Sequence, residues 1–166
     1  MSRLTRSSAF TALSALALSV VLGVAAAEFP AAADESVSGA TVFADRCAVC
    51  HGPEAAGIPG TFPSLHEQIV AFAKTPGGRD YLVMVVTTGL MGELKVGGAT
   101  YNGVMPAQSG LSEGEIAAVL GYLASDRGKN AGTPPLAAAD VTAARERHPD
   151  RSAQATRALR PALPAQ

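Results

Sequence analysis

Hydrophobic positions divide the chain into segments of different period. Ala9 to Val24 is largely apolar and uncharged, with Thr11, Ser14 and Ser19 its polar positions. From Gly39 the apolar residues Val42, Phe43 and Cys47 recur at helical spacing, and Gly52-Pro53 ends that run. Residues 55–65 hold Gly57, Pro59, Gly60 and Pro63, which predicts a loop. Leu65 to Lys74 reads as a short helix with Ser64 as N-cap and Ile69, Phe72 and Ala73 on one side. Pro76-Gly77-Gly78 breaks it. Tyr81 to Thr88 is nearly all apolar; its β-branched valines suit a buried strand, but the stop at Gly89 favours a helix from Asp80 to Thr88. The glycine-rich stretch from Gly89 to Gly110 predicts a long functional loop. Ser112 and Glu115 then form a capping box ahead of the stripe Ile116, Val119, Leu120 and Leu123. That helix ends within Ser125–Gly128. Lys129 to Pro135 is a linker, and Asp140 to Arg147 is a short helix before a proline-containing tail to Gln166. No internal repeat occurs. The reading is all-α: a domain over 39–128, followed by a linker and tail over 129–166.

The N-terminal run adds a compartment. Arg3 and Arg6 precede it, and Ala25-Ala26-Ala27 follows as a small-residue cleavage site, so residues 1–27 are expected to be a secretory signal. An uncleaved anchor is the alternative, in which case the membrane becomes a partner. Residues 28–38 read as a flexible leader. The expected location is the periplasm. Without residues 1–27 the chain has eleven Lys/Arg against fourteen Asp/Glu, a formal charge of −3. Residues 28–140 carry six basic against twelve acidic residues, and residues 141–166 five against two. A mildly acidic body thus precedes a basic tail. Few aromatics and no basic patch on the body exclude nucleic acid as a partner.

Cys47-Ala48-Val49-Cys50-His51 carries the chemistry. A Cys-x-x-Cys-His run is the attachment signature of c-type haem. Thiols at i and i+3 lie on one helical face and reach both vinyl groups of one porphyrin, while the following histidine offers a nitrogen to the iron. A zinc site would need further ligands, but there is no third cysteine, and His66 and His148 fall at unsuitable spacings. A redox dithiol would need a strand–helix context that is missing. The second axial ligand could come from Met84, Met91, Met105, His66 or His148, with Lys74, Lys95 and Lys129 weaker candidates. Met84 suits core filling. Met105 stands before Pro106, which stiffens the segment carrying the sulfur, and is the preferred choice. A His/Met pair raises the reduction potential and fills the sixth site, favouring electron transfer over catalysis. The rival readings are a haem enzyme or gas sensor with an open sixth site, and a haem-free dithiol protein.

Residues 39–124 resemble a class I monohaem c-type cytochrome of the bacterial periplasm. The resemblance rests on the Cys47–His51 motif, the loop Pro59-Gly60-Thr61-Phe62-Pro63-Ser64-Leu65, the segment Tyr101-Asn102-Gly103-Val104-Met105-Pro106 and the capped final helix. It implies one haem c bound through Cys47 and Cys50, with His51 and Met105 on the iron. It also implies that Pro63, twelve residues after His51, accepts a hydrogen bond from the histidine. Gly39 and Phe43 are expected to cross the final helix near Val119 and Tyr122. The implied role is a one-electron carrier, not an enzyme, between a donor dehydrogenase and an acceptor cytochrome or oxidase. The chain departs from the family in three respects. There is no tryptophan for a haem propionate, leaving Arg79, Tyr81, Tyr101 and Asn102 as candidates. Lysines are few. The tail after Gly132 has no counterpart in the minimal fold; tails of this kind occur in cytochromes that serve a particular dehydrogenase, so this one is expected either to dock a partner subunit or to stay solvated.

Overall fold

The computed structural model describes residues 37–129 and 132–163, without the side chain of Glu67. The expected signal over 1–27 and most of the leader over 28–38 lie outside the described residues. No described helix is long and apolar enough to cross a membrane.

The chain enters through α1 (Gly39–Val42), capped by the Ser38 hydroxyl, which accepts from the Thr41 N–H. A wide π-turn (Phe43–Cys47) leads into α2 (Ala48–His51). After the 52–66 loop come α3 (Glu67–Ala73) and α4 (Gly78–Thr88). Strands β1 (Leu90–Val96) and β2 (Ala99–Met105) follow, then α5 (Glu113–Ala124), α6 (Ala138–Arg147) and α7 (Ala153–Ala158).

Two apolar clusters form the interior. One joins α1, the π-turn and α5 through Val42, Phe43, Val119 and Leu123. A β-carbon on Gly39 would collide with the Ala118 carbonyl, so only glycine permits this approach, and the Phe43 and Tyr122 rings meet 5.8 Å apart. The expected helix crossing is therefore present. The other cluster joins α3, α4, α5 and α6 through Phe72, Leu82, Val83, Ile116, Leu120 and Val141. The capping box of α5 forms as expected: Ser112 Oγ accepts from the Glu115 N–H, and Glu115 accepts from the Ser112 N–H at 2.8 Å.

Three expectations need correction. The α3 helix starts later than expected: its N-cap residue is His66, and Ser64 Oγ instead accepts from the His66 N–H at 3.3 Å. The fold is mostly helical, but the predicted loop after Gly89 is largely an antiparallel hairpin, pairing Leu90 with Met105 through to Val96 with Ala99. Gly97 and Gly98, both at positive φ, make the two-residue turn. The tail is also not a solvated end. Val141 and Thr156 are fully buried. Its arginines are engaged within the chain: Arg145 with Glu113 at 2.6 Å, Arg147 with Asp80 at 2.7 and 2.8 Å, Arg157 on the Glu93 carbonyl and Arg160 on Gln68.

Candidate functional site

The histidine side is built from near-neighbours in sequence. The π-turn closes with the Ala48 N–H on the Phe43 carbonyl, one residue wider than an α-turn, immediately before the second half of the motif. Gly52, at φ 76°, ends α2 and turns the chain back. The Gly57 N–H then donates to the His51 carbonyl at 2.8 Å, and the Leu65 N–H to the Ala55 carbonyl at 2.9 Å. Ile58 and Phe62 pair across the small loop. Gly57, at φ 70°, lies so close to the Phe62–Pro63 backbone that no β-carbon fits.

These constraints place the Pro63 carbonyl 2.8 Å from His51 Nδ1. A carbonyl can only accept, so Nδ1 carries the proton and Nε2 keeps its lone pair. His51 is only 7% exposed, and Nε2 has no hydrogen-bond partner among the described residues. Burial lowers the imidazole pKa and the bond to Pro63 partly offsets this, so the ring stays neutral, as a metal ligand must. The side chains of Cys47 and Cys50 are half-buried beside it.

The methionine side is assembled from distant parts. Met105 ends β2, half-buried, opposite Leu90, which packs on the larger cluster. Gly89, at φ 80°, lies against the Met105–Ala107 backbone, where a side chain would clash. The Gln108 N–H bonds the Val86 carbonyl at 2.9 Å, and the Arg46 guanidinium lies against Gly110. The segment around Met105 is therefore tied to α4 and lies against Arg46, the residue before the cysteine motif.

The other candidates are placed differently. Met84 is fully buried in the core. Met91 is exposed on the outer face of the hairpin, opposite Val104. His66 Nε2 meets Arg127 at 3.3 Å, and His148 Nε2 meets Asp80 at 3.0 Å. Lys74, Lys95 and Lys129 are exposed. Of the residues considered for a propionate, Arg79 bonds the Pro134 and Pro135 carbonyls, both at 2.9 Å, and Asn102 faces outward. Tyr101 is buried in the hairpin, and the Tyr81 hydroxyl meets Arg160 at 3.3 Å.

The residues fit a covalent haem. Cys47, Leu65, Ile69 and Leu111 border the smaller cluster, half-buried; Ile69 and Leu111 also border the larger one, with Val85, Val86 and Leu90. A flat apolar group fixed at the two thiols would cover such half-exposed apolar surface. Among the described residues no cluster of three His, Cys, Asp or Glu would hold a metal by side chains alone.

Fold and site together define a small helical protein that carries a single haem on two cysteines. Comparison with known proteins agrees. Residues 36–127 match the cytochrome c family model. Cytochrome c-552 of Thermus thermophilus is 42% identical over 106 residues, covering 62% of this chain and 80% of that protein. The cytochrome c-552 of a second Thermus thermophilus strain is 42% identical over the same length, covering 71% of that protein. The chain belongs to the cytochrome c family and is a class I c-type cytochrome with haem c attached through Cys47 and Cys50.

Proposed function

We propose that this cytochrome is a periplasmic one-electron carrier with His51 Nε2 and the Met105 thioether as the axial ligands. When bound, the haem supplies an Fe(III)/Fe(II) couple. The observation that carries the reading is the His51–Pro63 bond at 2.8 Å, which leaves Nε2 as the one free donor on a buried neutral ring. The Pro63 carbonyl fixes both tautomer and ring angle. Among the described residues Met105 is the methionine that is neither sealed in the core nor turned outward on the hairpin. A neutral thioether favours the ferrous state and closes the sixth site to small ligands.

Export supports haem attachment outside the cytoplasm, and the charged start, apolar run and Ala25-Ala26-Ala27 carry that part of the reading. The partners are redox proteins, a donor dehydrogenase and an acceptor cytochrome or oxidase, met through small transient contacts. The test compares oxidised and reduced absorption spectra of wild type and Met105→Ala after export. A covalent haem whose ferric spectrum changes in the variant supports the reading. An unchanged spectrum returns the sixth position to another residue or to solvent.

A further inference from the structure

We propose that α7 is a clasp on the methionine hairpin, with Arg157 and Arg160 as positioning residues that set how readily the sixth position on the iron opens. The inference rests on the reading of Met105 as sixth ligand. A two-stranded sheet has little stability of its own. Here Met91, Glu93, Lys95, Thr100, Asn102 and Val104 all face solvent. The α7 helix packs on β1.

The contacts are placed where a hairpin needs them. In an antiparallel ladder with a two-residue turn, Val96 and Ala99 exchange hydrogen bonds and the pairs then alternate. Glu93 and Lys95 therefore direct their carbonyls to the free edge of β1. Arg157 Nε donates to the Glu93 carbonyl at 3.2 Å, and Arg160 Nη2 to the Lys95 carbonyl at 3.1 Å. The Arg157 side chain also lies along Gly92. Two guanidinium groups thus cover successive carbonyls of an edge that otherwise frays.

The other end of the clasp is fixed to the body. Thr156 is fully buried, its hydroxyl paired with that of Thr88, the last residue of α4. The Arg160 guanidinium stacks 4.9 Å from the centre of the Phe72 ring and bonds Gln68 Oε1 at 2.8 Å. The hairpin is thereby linked through α7 to α4 and through Arg160, just beyond the helix end, to α3.

The test uses full-length ferric holoprotein and imidazole as the displacing probe. The Arg157→Ala/Arg160→Ala double variant is compared with Arg145→Ala, which removes a tail ion pair to Glu113 that does not touch the hairpin. The double variant should exchange its sixth ligand about tenfold faster than wild type, the factor for a weakened local closure. Arg145→Ala should exchange at the wild-type rate, with a similar denaturant midpoint. Arg160→Lys, which keeps a cation over the rings, should recover part of the slow exchange. A wild-type rate in the double variant, or an equal acceleration in Arg145→Ala, overturns the clasp. If Met105→Ala also shows the wild-type spectrum, the ligand reading falls with it; if Met105→Ala loses its ligand, the clasp falls alone.

Discussion

The two faces of the proposed haem site are built in opposite ways. On the histidine side, His51, Gly57, Pro63 and Leu65 lie within fifteen residues, and every bond that fixes the imidazole closes within that stretch. On the methionine side, Met105 is held through Leu90, Val86, Arg46 and, by way of β1, residues more than fifty positions later in α7. One proposed ligand is fixed by a short rigid loop, and the other by the tertiary fold. Local closure costs little chain entropy and resists partial opening, whereas a ligand on a thinly covered hairpin opens when its distant supports loosen.

The largest expected effect strikes both sides at once. Replacing Cys47 and Cys50 together with alanine removes every thioether link, so no haem should remain with the chain on a denaturing gel. Retained haem would break the account at its root. Met105→Ala, next in size, tests the asymmetry directly. The reduced variant should bind carbon monoxide stoichiometrically, while wild type binds it slowly or not at all, and covalent haem should remain in both. Gly57→Ala probes the other side. A β-carbon at φ 70° pressed against the Phe62–Pro63 backbone should cost about 1–3 kcal/mol in denaturant unfolding. It should also disturb the His51–Pro63 bond while leaving the hairpin intact.

The smallest effect concerns the tail. Two Arg147 bonds depress the Asp80 pKa, with His148 adding to them and burial opposing them. A depressed carboxylate contributes stability above its unfolded pKa, and that contribution is lost as pH falls through the folded value. The tail should therefore hold at neutral pH and loosen only below about pH 4, where the unfolded carboxylate titrates. Since Arg147 is more than half exposed, the loss should stay below about 1 kcal/mol. Limited proteolysis across pH checks this, and Asp80→Asn should abolish the acid step.

Legibility in the sequence follows the same division. The cysteine motif, the proline loop and the capped α5 are local patterns, and each is visible in a short window. The Pro63 carbonyl and the Gly39 crossing were reachable because the resemblance to the family implied them. The hairpin was obscured because the paired Gly92 and Gly103 interrupt the alternation of a strand. The Gly97-Gly98 pair between two seven-residue runs was the available sign. Packing of the tail was hidden for another reason. Beside the buried Val141 and Ala144, its anchors are arginines and one threonine, residues that read as solvated until Asp80, Glu113, Thr88 and the β1 carbonyls are brought to them.

Proton NMR of the reduced, diamagnetic holoprotein tests the central claim most directly. A methionine bound to haem iron has its methyl group over the ring, where the ring current shifts it far upfield. The account predicts one such methyl resonance, present in wild type, Met84→Leu and Met91→Leu, and absent in Met105→Ala. A shifted methyl that survives Met105→Ala, or a wild-type spectrum without one, would contradict it.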